Sequence, residues 1–412
     1  MIPLHRPFFG VGAVLGATLA PRPAAQDLRH FEEAHAAASG CAQAVWLPSA
    51  RAGIAWALRA AIDRETRVIG PAFTCSVVHE AMGRAGGQTH IVDAAADAFA
   101  LEPAALSAAR NGNHALVLSE PYGHPYDLAA LAAASASAPK IRIVDSAMAV
   151  PHPSLFARLC GNDFAVISFG SGKTAFAGWG AMGFTRDAAL AAEVRQLRDA
   201  RLSVGDSKLT LKRSLSIGLR TAAQHPLAFS ATRKLWYQVN HLRSRRQKPS
   251  ASLPPAAAAP AFAFPATWAD DQSCGVEWRR PSTRVDRGLA LRNLETAAVV
   301  HARRLQLAER YGKNLAGAPG LRLPPVSPFA LSHFTVRVDA RLRNRVKEEL
   351  MKLGVYTISL WTFSPHLDPQ EFPNAARCCA EVINLPLSPW MNAAEVDRVC
   401  EHVVRSVTSL AS

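Results

Sequence analysis

Between residues 45 and 187 the chain alternates short apolar runs with longer, broadly apolar stretches, and the difference in length separates strands from helices. The short runs read as buried strands: Arg67-Val-Ile-Gly, His90-Ile-Val-Asp, Leu116-Val-Leu-Ser, Ile141-Arg-Ile-Val-Asp, Phe164-Ala-Val-Ile-Ser and Gly183-Phe-Thr. The longer ones read as helices over Ala52 to Ile62, opened by the turn-like Leu47-Pro48-Ser49, over Ser76 to Ala85 and over Leu128 to Ala136. This order predicts a three-layer α/β unit. After Asp187 a helical, basic stretch runs to about Lys248, and Ser250 to Thr267 is rich in Pro and Ala, as in an extended linker or surface loop. A long helical pattern returns over Val285 to Leu315. Phe334-Thr-Val-Arg-Val-Asp and Glu381-Val-Ile-Asn-Leu-Pro-Leu then read as strands of a smaller C-terminal α+β unit. The expected divisions are a large unit with an N-terminal arm over 1–200, a basic helical insertion and linker over 201–270, and a small unit over 271–412.

The composition is that of a globular chain of 412 residues, 49% hydrophobic and 19% charged, without solenoid repeats. The net charge of +14 needs a location before it has a meaning. Much of the excess lies in 208–248, at Lys212-Arg213, Arg233-Lys234, Arg243, Arg245, Arg246 and Lys248, with no nucleic-acid-binding motif nearby. The plain reading is a solvated helical face. The sharper one is peripheral membrane contact through 208–248, with Leu211, Leu215, Leu219, Trp236 and Leu242 supplying apolar surface. Seven cysteines without a CxxC pair or a His/Cys cluster argue for a reducing cytoplasm and against a metal site. The apolar segment Phe8 to Ala20 mimics a secretory leader, but it is too short to span a bilayer and Pro3 and Pro7 interrupt its start.

In a sheet of this kind the ligand lies beyond the carboxyl ends of the strands. Asp145 follows Ile141 to Val144, Ser168 follows Phe164 to Ile167, and Lys173 sits in the Gly-rich turn that comes next. A lysine amine that can form a Schiff base and an acid that can keep a pyridine nitrogen protonated are the pair that pyridoxal chemistry requires. Taken alone, the two residues are better explained by a turn-capping Asp and a solvent-exposed Lys. Other motifs fail. Phe169-Gly-Ser-Gly-Lys-Thr lacks the first glycine of a nucleotide-binding loop, which would fall at Ile167. Gly10-Val-Gly-Ala-Val-Leu-Gly has no preceding strand, His79-Glu80 lacks the second histidine of a zinc protease, and Trp46, Trp56, Trp179 and Trp236 read as core or interface residues.

The residues around the pair carry a resemblance. Ser168-Phe-Gly-Ser-Gly-Lys-Thr-Ala-Phe-Ala-Gly-Trp-Gly resembles the lysine segment of the DegT/DnrJ/EryC1/StrS aminotransferases. Pro71-Ala-Phe-Thr-Cys, Tyr122-Gly-His-Pro-Tyr-Asp-Leu, Asp145-Ser-Ala-Met-Ala, the opening Ile2-Pro-Leu-His-Arg-Pro and Ala380-Glu-Val-Ile-Asn-Leu-Pro-Leu are similar to further segments of that family, in the right order. The resemblance implies the aspartate aminotransferase-like fold of pyridoxal phosphate-dependent transferases and a homodimer with sites at the subunit boundary. It implies pyridoxal 5'-phosphate held as an internal aldimine on Lys173, with Asp145 at the ring nitrogen and Ser168 at the phosphate. Pro48-Ser-Ala-Arg-Ala-Gly aligns with the family's phosphate turn. Ser49, Ala50 and Arg51 are therefore expected at the phosphate, on a helix start that offers free N–H groups. The implied reaction moves an amino group, from glutamate in most relatives, to a keto-sugar nucleotide in amino-sugar or polysaccharide biosynthesis.

Three positions depart from the pattern. Met148 stands where the family has a glutamine, Cys75 where it has a ring-stacking aromatic, and Arg279-Arg-Pro-Ser-Thr where it has an Asn-Tyr-Arg segment. A non-sugar acceptor or a different reaction on the same cofactor is the alternative these departures suggest. A non-catalytic member that binds a membrane or polyanion through its basic segment is the third reading.

Overall fold

Strands that are apolar on both faces require helices on both sides, and this requirement organises the molecule. The computed structural model describes residues 2–4, 6–20, 27–96, 99–101, 113–134, 137–203, 207–231 and 275–411. Residues 232–248 of the basic stretch, with Trp236 and Leu242, and the Pro/Ala-rich 250–267 lie outside them.

Seven strands form the main sheet: β1 (Gln43–Leu47), β2 (Arg67–Pro71), β3 (Gln88–Val92), β4 (His114–Ser119), β5 (Arg142–Asp145), β6 (Asp163–Ser168) and β7 (Ala181–Thr185). Their order is β1-β7-β6-β5-β4-β2-β3, parallel from β6 to β3, with β7 antiparallel to both neighbours. Every residue of β4 and β6 is buried, as a central strand under two helical layers demands. One layer holds α3 (Ala50–Ala61) and α4 (Ser76–Ala85), whose Ile54, Trp56, Leu58, Val78 and Met82 pack with Val68, Val117 and Val166. The other holds α1 (Val11–Leu19), α2 (Asp27–Ser39) and the start of a later long helix, packed on Leu118, Val144 and Ile167. Fully burying each Leu- or Ile-sized side chain stabilises the fold by about 1.5–3 kcal/mol. Short helices over Leu128–Ala134 (α5) and Pro153–Ala157 (α6) connect strands, and α7 (Ala188–Asp199) and α8 (Ser207–Ala223) follow the sheet.

The long helix α9 (Arg284–Leu315) starts with a capping box, in which the Thr283 side chain accepts from Asp286 N–H and the Asp286 carboxylate accepts from Thr283 N–H. Its first half, through Val285 and Leu289, belongs to the core of the main sheet. Its second half, through Leu307, Tyr311 and Leu315, packs on the antiparallel pair β8 (Phe334–Arg337) and β9 (Val382–Leu385). Helices α10 (Ala340–Lys352), α11 (Pro373–Glu381) and α12 (Ala393–Ala411) complete this smaller α+β unit. The N-terminal arm joins it, since Ile2 pairs with Val355. The three-layer unit and the smaller α+β unit are those read from the sequence.

Several elements were not, among them the helix over Asp27–Ser39. Gln43-Ala-Val-Trp-Leu is an edge strand, and Val11 to Leu19 is a helix. The single helical stretch expected after Asp187 is divided into α7 and α8. No described helix is long and apolar enough to cross a membrane.

One buried histidine gives the fold a pH dependence. His35 of α2 lies within hydrogen-bonding distance (2.8 Å) of the Phe31 carbonyl, with its ring edge-on to Phe31. Burial pushes its pKa down to about 4. An unfolded histidine titrates near ~6.5, so between these values the unfolded chain binds more protons and stability falls as the medium is acidified. Urea unfolding at stepped pH is expected to show this loss, and His35→Asn to flatten it. An unchanged slope in that variant would contradict the assignment.

Candidate active site

The carboxyl ends of β4, β5 and β6 open on a single cavity of about 250 Å³. All eight residues singled out in the sequence, Ser49, Ala50, Arg51, Cys75, Asp145, Met148, Ser168 and Lys173, line it. Asp145 closes β5, where its Oδ1 accepts from Ala147 N–H at 3.2 Å and its Oδ2 accepts from Ser119 Oγ at 3.4 Å. Burial pushes this carboxyl above the ordinary range, against the opposing pull of the Lys173 ammonium. Lys173 stands in a turn, with its Nζ 3.1 Å from Met148 Sδ. A thioether is a weak acceptor. Among the described residues no carboxylate lies within ion-pair distance of that nitrogen.

The lysine turn is held from two sides. Thr174 Oγ1 lies 2.9 Å from the carbonyl of Met148 and 2.5 Å from that of Ala149, which fixes the turn to the segment after Asp145. From α9, Asn293 Nδ2 donates to the carbonyls of Ala175 and Phe176 at 2.9 and 3.1 Å. Further on, Gly178 has φ +112°, and a Cβ there would lie 2.4 Å from Ile217 Cδ1 and 2.7 Å from Asp286 Oδ1. Gly178→Ala therefore combines a left-handed backbone with a clash, and it is expected to cost about 2–4 kcal/mol in urea unfolding. A loss below about 1 kcal/mol would contradict this close packing.

Ser49 caps α3 by accepting from Ala52 N–H at 3.3 Å, and the helix start Ser49 to Arg51 lines the cavity. Ser168 adds a hydroxyl from the end of β6. Arg51 enters the cavity wall already paired. Its Nη1 lies 2.8 Å from Glu80 Oε2 and 3.1 Å from Glu277 Oε1. The Arg279 to Thr283 segment packs against the strand-joining loop, with Arg280 stacked 3.9 Å from the Trp179 ring.

Pyridoxal phosphate, the cofactor implied by the resemblance, needs an amine, a buried acid and an anion-binding helix start facing a common space. The donor set fits it: Lys173, Asp145 and the Ser49–Arg51 turn with Ser168 meet in this cavity. Three polar or aromatic lining residues were not singled out in the sequence. Ser119 and Glu120 follow β4 as Asp145 follows β5, so the strand-end rule could have found both. Glu120 is buried and paired to Arg158 Nη1 at 2.6 Å. Trp361 arrives from the segment before α11 and stacks on Tyr122 at 4.9 Å, closing a wall of the cavity. No sequence pattern marks it.

A three-layer α/β unit with an amine and an acid at the ends of adjacent strands, joined to a small α+β unit by a long helix, defines the fold-type-I class of pyridoxal phosphate-dependent proteins. The model of the DegT/DnrJ/EryC1/StrS aminotransferase family matches residues 24–237 and 284–404, and the chain belongs to that family. A dTDP-4-dehydro-2,3,6-trideoxy-D-glucose 4-aminotransferase of Saccharopolyspora spinosa is 30% identical over 115 residues, which cover 26% of this chain and 29% of that protein. A dTDP-3-amino-3,4,6-trideoxy-alpha-D-glucose transaminase of Streptomyces venezuelae is 30% identical over 25% of this chain and 30% of its own length. The matched stretch thus spans under a third of these curated relatives. Among solved structures, DesV of S. venezuelae, in complex with a ketimine intermediate, superposes with TM-score 0.66 at 21% identity, covering 96% of this chain and 93% of that one. Spr1654 of Streptococcus pneumoniae in its PMP form gives TM-score 0.69 at 17% identity over 100% of both chains. At these identities the likeness is one of fold.

Proposed function

We propose that this protein is a pyridoxal phosphate-dependent aminotransferase that moves an amino group from an amino-acid donor to the carbonyl of a nucleotide-linked keto-sugar. The observation that carries the reading is the meeting of Lys173 Nζ, the half-buried Asp145 carboxylate and the start of α3 in one cavity of a chain that belongs to this family. When bound, the cofactor supplies an electron sink for the charge that develops as a C–H bond beside nitrogen breaks. Lys173 Nζ holds the cofactor between turnovers and then carries the proton between the two carbons as general base and acid. The Asp145 carboxylate would hold a proton on the cofactor's ring nitrogen, and its partial burial would strengthen that interaction. The N–H groups of Ala50 and Arg51 and the Ser168 hydroxyl bind the phosphate. Trp361 shields the cavity from solvent.

The same reading takes 1–200 as the cofactor-binding unit with its arm, 201–270 as an insertion and linker, and 271–412 as the small unit. It assigns the protein to the cytoplasm as a homodimer, in a pathway that makes amino sugars or polysaccharides. Incubation with glutamate and a panel of keto-sugar nucleotides, read by the mass of the product, tests it. An amino-sugar nucleotide formed with 2-oxoglutarate is the expected result. Met148 and Cys75 favour a second reading, a non-sugar ketone as acceptor. Donor consumption that yields product from another ketone and from no sugar nucleotide would select it.

A further inference from the structure

An exposed helix of a water-facing domain ordinarily carries polar residues on its outer face. Helix α1 carries none. Its sequence, Val11-Gly-Ala-Val-Leu-Gly-Ala-Thr-Leu, has no charged residue, and the exposed Val11, Leu15 and Leu19 fall at i, i+4 and i+8 on one side. The space beyond Gly12 and Gly16 on that helix is open. Helix α8 repeats the device with Leu211, Leu215 and Leu219, again four apart and again exposed. These six side chains are between 42% and 79% exposed, which is too much surface for six neighbouring large apolar residues to leave in water without a reason.

The two helices are packed together. Thr18 Oγ1 of α1 lies 2.8 Å from Ser214 Oγ of α8, and the opposite sides of both helices are buried, through Val14 on α1 and Ile217 on α8. The two rows thus lie on the exposed sides of two helices that touch each other. Charge accompanies one of them. Lys208 and Lys212 are exposed beside the α8 leucines, and neither helix carries an Asp or Glu. Arg213 is the exception in orientation, since it turns inward to pair with Asp286.

We propose that the outward faces of α1 and α8 form a platform that rests on an anionic lipid surface, with the leucines entering the interface and the lysines meeting the headgroups. The leucine rows select this partner over a nucleic acid, which would use the lysines and leave six apolar side chains wet. The exposed lysines select it over a second copy of the chain, since neither helix offers an acid to pair them if this face met itself. The platform is independent of the catalytic reading, since none of these six residues lines the cavity that holds Lys173.

The test is sedimentation of the full cofactor-loaded protein with vesicles of phosphatidylcholine alone and of phosphatidylcholine containing phosphatidylglycerol. A charge-neutral variant, Leu15→Gln with Leu211→Gln, Leu215→Gln and Leu219→Gln, separates apolar insertion from the general attraction of a basic protein. The expected result is binding to the anionic vesicles that weakens with salt and falls at least ~tenfold in the variant, whose circular dichroism and visible cofactor band are unchanged. Absence of vesicle binding overturns the proposal. So does equal binding by the variant, which would assign the effect to diffuse charge. A variant that changes oligomeric state without changing vesicle binding also overturns it and makes the face a contact between copies.

Discussion

Lys173→Ala is expected to lower the rate of amino transfer by about 10⁴-fold while leaving the protein folded. The reason lies in what else the cavity offers. Its walls are otherwise built from a thioether at Met148, a thiol at Cys75, small hydroxyls and two acids, and Arg51 is committed to Glu80 and Glu277. Both acids are engaged elsewhere, Glu120 with Arg158 and Ser146 and Asp145 with Ala147 and Ser119, which leaves the lysine amine to carry the proton. The side chain also costs little to remove, because its recorded polar contact is the weak one to Met148 Sδ, while Thr174 and Asn293 hold the turn through the backbone. Single-turnover kinetics with donor alone would check this. A variant that retains more than a tenth of the wild-type rate would place the proton-carrying group elsewhere.

The second large effect is expected at Asp145. Asp145→Asn keeps the size of the side chain and an oxygen for Ala147 N–H but removes the negative charge, and it should lower kcat by about 10²–10³-fold. Stability should move the other way. Burial raises this carboxyl's pKa above its unfolded value, so the ionised form is the costly one, and the cost appears as pH rises from the unfolded pKa through the folded one. At neutral pH the asparagine variant should be as stable as the parent or more so in urea. Loss of activity together with loss of stability would assign Asp145 a structural role, and unchanged kcat would remove it from the chemistry.

Much of this site was legible because its chemistry sits where strands end. Asp145 and Ser168 were marked by the apolar runs that precede them, Lys173 by its Gly-rich turn, and Ser49 by the turn-helix boundary that it caps. Cys75 and Met148 were found as departures from a pattern, and they line the cavity with the others. What periodicity could not give is what depends on distant segments. Trp361 reaches the cavity from an irregular stretch of the small unit, and Asn293 steadies the lysine turn from a helix more than a hundred residues away in sequence. The pairing of Arg51 with Glu277 joins positions with no local relation. Strand β1 was hidden because five residues ahead of a Pro-Ser turn carry too little pattern to name. Helix α1 was hidden because uniform apolarity has no period, and that uniformity is what makes its outer face unusual.

The most direct test of the account is borohydride reduction of the purified protein after addition of pyridoxal phosphate, followed by peptide mapping. The account predicts a visible absorption band that is lost on reduction, a pyridoxyl group fixed to the peptide that contains Lys173, and neither in Lys173→Ala. A folded protein that develops no band, or one labelled at a different lysine with Lys173 unmodified, would contradict it.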